Sequence, residues 1–212
     1  MPEERFDIYD EHMNPIGTAT RSETHANGYW HRSFHCWLTR DDGDKRYVWF
    51  QLRQLSKDTN PGCYDITVAG HLAAGETVMD ASRELEEEIG VAASFEELVP
   101  LGQIREEDSG MAGGTPYIDR EVSDVFALRY PYPLDTLRLQ QDEVAGVFEA
   151  EIAELLSLFE GERAELSVQG VELVKNGHGR LKPATRTIRA NEFVPRDEVY
   201  YKMICHKLMT LE

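Results

Sequence analysis

Apolar and polar residues alternate over short stretches along most of the chain, and this pattern predicts strands. FDIYD and IGTAT, separated by the turn-prone HMNP, predict a short hairpin near the N-terminus. FHCWLT (34–39) and YVWFQL (47–52) predict two more strands on either side of the turn DDGDK. SKDTNPG breaks the pattern, and YDITVAG then predicts another strand. The period changes at residue 77. Val78, Ala81, Leu85 and Ile89 recur at helical spacing, so a helix is expected over 77–89, with Thr77 and Asp80 as a capping box and Gly90 as its stop. VSDVFALRY (122–130) predicts a buried strand, and VFEAEIAELLSLFEG (147–161) predicts a strand end that becomes a helix. ELSVQGVELV and TRTIRANEF suggest a further hairpin, and PRDEVYYKMICHKLMTL suggests a closing helix with proline near its start. Strands and helices mixed without strict alternation predict an α/β or α+β domain on a mixed sheet. At 212 residues, one large domain is expected over 1–160, with 161–212 as a C-terminal extension packed on it.

Charge narrows the classes of function. A net charge of −17 argues against a nucleic-acid binder or an anionic-membrane binder, both of which present basic patches. It suits a protein that gathers divalent cations, although solubility explains most of these acids. Cys36, Cys63 and Cys205 form neither a CxxC pair nor an even set, so reduced thiols in a cytoplasmic protein are expected. MPEERFDIYD lacks the apolar core of a signal peptide, and no apolar run approaches the length of a membrane span.

The segment ASRELEEEIGV places Glu84, Glu86, Glu87 and Glu88 within five positions. Like charges three or four residues apart repel by a few tenths of a kcal/mol per pair, on the order of 0.2–0.5. Glu84, Glu87 and Glu88 share one helical face, away from the apolar stripe, and Glu86 lies apart from them. Taken alone, such a face is most simply a solvated surface. Three carboxylates at i, i+3 and i+4 can also converge on one hard cation, which removes the repulsion.

Read from Gly70, the stretch GHLAAGETVMDASRELEEEIGV resembles the Nudix box. Gly70, Glu76, Arg83, Glu84, Leu85, Glu87, Glu88, Gly90 and Val91 fill the named positions of that motif. Six residues instead of seven separate Glu76 from Arg83, a shortening at the loop-to-helix junction that leaves the helical spacing untouched. The resemblance implies an α/β/α sandwich with a mixed sheet. It implies that Glu84, Glu87 and Glu88, together with Gly70 and Glu121, serve Mg²⁺ or Mn²⁺, and that Arg83 orients a glutamate by an ion pair. Glu87 or Glu88 would then accept a proton from the attacking water.

TATRSETHANGYWHRSFHCWL and QLRQLSKDTNPGCYDITVAGHLAAGET are similar to the Nudix subgroup related to isopentenyl-diphosphate isomerase. Those isomerases carry a catalytic cysteine immediately before the box glycine, where this chain has Ala69, and Cys63 lies in the preceding PGCYD loop. Hydrolysis of a small organic or nucleoside diphosphate is therefore expected, ahead of isomerisation or of a Nudix-fold module that only binds. The subgroup also implies a second, transition-metal site. His25, His31, His71, Asp119 and Glu121 stand at the matching places, with the two early histidines one residue closer together. This mixed nitrogen and oxygen set suits Mn²⁺, Zn²⁺ or Fe²⁺ better than Mg²⁺. Arg53 and Lys57 are candidates for holding a substrate phosphate. Trp30, Trp37, Trp49 and Tyr64 are candidate stacking residues whose simpler role is core. By family analogy, residues beyond 160 cover the site or form a homodimer contact.

Overall fold

The computed structural model describes residues 3–112, 114–175, 177–197 and 199–211. The N-terminal hairpin is formed by β1 (Arg5–Tyr9) and β2 (Pro15–Thr20). Helix α1 (Arg21–Asn27) follows, its first turn held by a Thr20/Glu23 capping box and its end by Gly28 in the left-handed conformation. Four strands come next: β3 (Trp30–Asp42), β4 (Lys45–Arg53), β5 (Tyr64–Ile66) and β6 (Val68–His71). A 3₁₀ turn over Asp80–Arg83 leads into α2 (Glu84–Ile89). A long hairpin of β7 (Val99–Ala112) and β8 (Thr115–Arg129) precedes β9 (Val144–Glu151) and α3 (Ile152–Phe159). The chain closes with β10 (Leu166–Leu173), β11 (Leu181–Ile188) and α4 (Tyr200–Met209).

The sheet order is β11-β10-β9-β4-β3-β1-β2, and β5, β6, β7 and β8 pair off this path. Only β3 and β8 run parallel among the named strand pairs of the described residues, in a ladder from Trp30↔Arg120 to Thr39↔Arg129. The architecture is α+β with a mixed, mostly antiparallel sheet. β10 pairs with β9, so the strands beyond residue 160 continue the same sheet.

Each face of the sheet has its own core. On one face α2 buries Leu85 and Ile89 against Phe34, Leu38, Trp49 and Val68. On the other face α3 and α4 bury Leu155, Tyr200, Tyr201, Ile204 and Leu208 against Trp37, Phe50, Ile66 and Phe148. Each large apolar side chain so covered contributes about 1.5–3 kcal/mol. Trp30, Trp37, Trp49 and Tyr64 are all buried, which is the simpler of their two expected roles.

The expected strands and the two late helices are present, with four differences, the first being that YDITVAG is broken at Thr67 into β5, paired with β4, and β6, paired with β3. The helix expected over 77–89 starts later: residues 77–79 lie before it, with the Asp80 carboxylate bonded back to the Thr77 amide and hydroxyl, a 3₁₀ turn covers Asp80–Arg83, and α2 begins at Glu84. The closing helix begins at Tyr200, not at the proline: Asp197 turns the chain into it, its Oδ1 accepting from the Val199 amide and its carbonyl from the Tyr200 amide. α1 and β7 were not expected. Neither presents an apolar stripe: α1 reads RSETHAN, and β7 is mostly exposed along its length.

Candidate metal-binding active site

Burial of Ala81, Leu85 and Ile89 fixes the roll of α2 and turns its acids toward β6 and β4. Glu84 lies against β6 at Gly70. A β-carbon built on Gly70 would stand 2.6 Å from Glu84 Cδ and 2.7 Å from Oε1, so glycine is what lets the carboxylate lie over the strand. Burial raises the Glu84 pKa to about 6, opposed by the Arg83 charge beside it. Glu88 is buried and accepts a hydrogen bond from Gln51 Nε2 at 3.2 Å. Its carboxyl is pushed well above the usual range, first by burial and then by the neighbouring Glu84 and Glu143 charges. Glu87 is exposed.

Arg83 organises this group. It meets Glu76 in a two-pronged pair, Nε to Oε1 at 2.9 Å and Nη2 to Oε2 at 3.1 Å. Its Nη1 donates to Glu84 at 2.6 Å and to Glu87 at 2.9 Å. The box is one residue short, yet Glu76 still meets Arg83 across the junction.

Arg53 and Lys57 flank these acids, each tied to a carboxylate. Arg53 donates to Asp65 Oδ2 at 3.0 Å and to the Thr59 carbonyl at 3.0 Å. Lys57 pairs with Glu143, which lies close enough to Glu88 to raise its pKa. Asp65 also accepts from Arg196 at 3.3 Å, and Arg196 donates to Glu106 at 2.7 Å. A chain of alternating charge thus runs from β4 through β5 to the C-terminal segment and β7. Sequence reasoning did not reach Gln51, Asp65, Glu106, Glu143 or Arg196, because these residues lie far apart along the chain and in no shared motif.

A second cluster lies beside the first. Strand pairing sets His31 opposite Glu121 and Ser33 opposite His71, and α1 brings His25 to the same place. His71 Nε2 is 2.9 Å from Glu121 Oε1, and His31 Nε2 is 3.7 Å from the same oxygen. Asp119 Oδ1 lies 3.4 Å from His25 Nε2 and 3.5 Å from His31 Nε2. The donor atoms of His25, His31 and His71 lie within 4.8 Å of one another, as do those of His31, Asp119 and Glu121. The buried atoms His25 Nε2, His31 Nε2 and Asp119 Oδ1 have no hydrogen-bond partner. Burial pulls the His31 pKa down, but Glu121 and Asp119 outweigh it and the net shift is upward. Burial also pushes against ionised Glu121, yet the His31 and His71 imidazoles hold its carboxyl well below the usual range. Gly70 touches the acidic helix and His71 is the next residue, so the two clusters share one strand.

Ala69, across from His35 on β3, occupies the position immediately before Gly70. Cys36 and Cys205 are buried elsewhere, and Cys63 lies in the loop before β5. Burial raises the pKa of all three thiols.

The NUDIX domain model matches residues 29–169. An uncharacterised Nudix hydrolase of Clostridium acetobutylicum is 36% identical over 209 residues, 99% of this chain and 98% of the relative. The chain belongs to the Nudix family. Within it, similarity extends to the isopentenyl-diphosphate Delta-isomerase of Salmonella heidelberg, 31% identical over 147 residues, 68% of this chain and 75% of that one. A crystal structure of a Deinococcus radiodurans protein shares the fold, with a TM-score of 0.53 at 21% identity over 76% of this chain and 91% of that chain. Among the described residues no helix is long and apolar enough to cross a membrane.

Proposed function

We propose that this Nudix protein hydrolyses a diphosphate linkage in a small organic or nucleoside diphosphate. The supporting observation is the array beside Gly70: Arg83 bridges Glu76, Glu84 and Glu87, and Glu88 is buried next to them. Glu84 and Glu88 are carboxyls that burial disfavours as anions, a set suited to a hard cation such as Mg²⁺ or Mn²⁺. Bound there, such a cation supplies charge neutralisation for phosphate oxygens and a lowered pKa for water. Arg83 keeps Glu84 and Glu87 aimed at the site and draws Glu76 onto the same helix. Glu88, with its raised pKa, or Glu87, at the exposed rim, takes the proton from the attacking water. Arg53 and Lys57 hold substrate phosphate by exchanging their carboxylate partners for phosphate oxygens. The His25, His31, His71, Asp119 and Glu121 cluster holds a transition metal, as its buried, unpartnered nitrogen and oxygen atoms suggest.

Two measurements test the reaction. Phosphate release from a panel of diphosphates requires Mg²⁺ or Mn²⁺, and Glu87→Gln and Glu88→Gln each lower kcat by at least about 10²-fold. Near-wild-type rates in both variants would remove the glutamates from these roles. Incubation with isopentenyl diphosphate yields no dimethylallyl isomer, because Ala69 brings no thiol to that position. Clear accumulation of the isomer would reverse the choice of reaction.

A further inference from the structure

A metal-bound imidazole must keep its ring plane fixed, because the lone pair of the coordinating nitrogen points along that plane. The usual device is a hydrogen bond from the other ring nitrogen to a carbonyl or carboxylate. His31 has one: its Nδ1 lies 3.2 Å from the Tyr29 carbonyl, which leaves Nε2 free to bind. His71 is held differently: its Nδ1 accepts from Arg21 Nη1 at 3.2 Å, since a guanidinium can only donate, and its Nε2 lies 2.9 Å from Glu121 Oε1. Among the described residues no acceptor fixes the His25 ring through Nδ1 either.

One side chain touches all three rings. Phe6, at 0% exposure, lies parallel to His31 with centroids 5.1 Å apart and planes 6° apart. It stacks on His71 at 4.8 Å and 30°, and meets His25 edge-on at 6.4 Å. The ring itself is held firmly. Ala74 donates its backbone N–H to the Arg5 carbonyl at 2.8 Å, and Gly75 donates to Asp7 Oδ2 at 2.9 Å, so β1 is bound on both sides of Phe6 to the loop after His71. Phe6 and His25 also precede residue 29, where the family match begins.

We propose that Phe6 is a positioning residue of the mixed nitrogen–oxygen centre. Its ring is the wall that sets the planes of His31 and His71 and limits the swing of His25, so that their Nε2 atoms converge. It performs for His25 what a hydrogen-bond acceptor does for His31, and adds a ring face to the Arg21 and Glu121 contacts that hold His71. The segment before the matched domain therefore supplies both a ligand and the surface that aligns the others. This inference rests on the reading that the cluster binds a transition metal.

The test is Co²⁺ titration of metal-free full-length protein, followed by visible absorption, for wild type, Phe6→Leu, Phe6→Met and Phe6→Tyr. Leu and Met keep an apolar filler without a ring face, whereas Tyr keeps the face. Phe6→Leu and Phe6→Met are expected to weaken Co²⁺ binding by about 10-fold or more and to alter the absorption bands, as loss of a ligand-orienting partner does. Phe6→Tyr is expected to stay within about threefold of wild type with unchanged bands. Wild-type affinity and spectrum in Phe6→Leu and Phe6→Met would overturn the proposal. So would an equal loss in all three variants accompanied by an equal fall in metal-free Tm, which would make Phe6 a core residue only. A wild type that shows no Co²⁺ bands, or that keeps them after His31→Ala with His71→Ala, is a different failure. It removes the mixed centre, and the role of Phe6 with it.

Discussion

His35 shows what one buried polar residue imposes on the chain. Its imidazole is 1% exposed, its Nδ1 is 3.1 Å from the Tyr200 hydroxyl, and the same hydroxyl accepts from Trp37 Nε1 at 3.3 Å. Held in this buried network, the ring stays neutral. Burial, reinforced by the Arg196 charge, lowers the His35 pKa to about 3. The unfolded chain binds a proton at this residue near pH 6.5, so between those two values the unfolded state holds more protons than the native one. This contribution to stability is complete above the unfolded pKa and is lost as pH falls from about 6.5 toward 3. From pH 7 to pH 5 wild type is expected to lose about 2 kcal/mol relative to His35→Gln, whose side chain does not titrate. Urea unfolding of both proteins at the two pH values measures the difference, and parallel pH dependences would refute it.

At the scale of elements, the close approach of α2 to β6 depends on Gly70. The three atoms nearest a methyl group there all belong to the flexible Glu84 side chain, so Gly70→Ala is expected to fold. The carboxylate must move aside, however, and a shift of about 1 Å at a catalytic group costs on the order of 10²-fold in rate. Gly70→Ala is thus expected to keep its Tm within a few degrees and to lose about 10²-fold in kcat. A rate within about threefold of wild type would remove Glu84 from the proposed site. The same elements explain what the sequence made legible. The strands with apolar alternation, the stripe of α2 and the Gly70-to-Val91 spacing were readable because each is a local pattern tied to one core or one turn. The polar helix α1 escaped, although its Thr20 and Glu23 form a capping box, because it has no apolar stripe. β7 escaped because a strand in an exposed arm need not alternate. The ring of Phe6 among the histidines, and the pairings of Asp65, Glu106 and Arg196, arise from strand register and loop paths that no short window of sequence records.

Over the whole molecule, the C-terminal segment is joined to the site by charge as well as by apolar packing. Arg196 crosses from that segment to Glu106 on β7 and Asp65 on β5, and Asp65 is also held by Arg53 on β4. All four side chains are at most 17% exposed, so these charges depend on one another rather than on water. Burial raises the Glu106 pKa against the Arg196 charge, so Glu106 is the member left worst placed if Arg196 is lost. Replacing Arg196 with methionine keeps much of the volume but leaves Glu106 buried without a counter-charge. The expected cost is about 3–5 kcal/mol of stability at pH 7. Removing the stranded charge as well should restore part of the loss, so Arg196→Met with Glu106→Gln is expected to be more stable than Arg196→Met alone by about 1–3 kcal/mol. Urea denaturation of wild type, both single variants and the double variant closes the cycle. A cost below about 1 kcal/mol for Arg196→Met, or no recovery in the double variant, would show that apolar packing alone holds the C-terminal segment to the sheet.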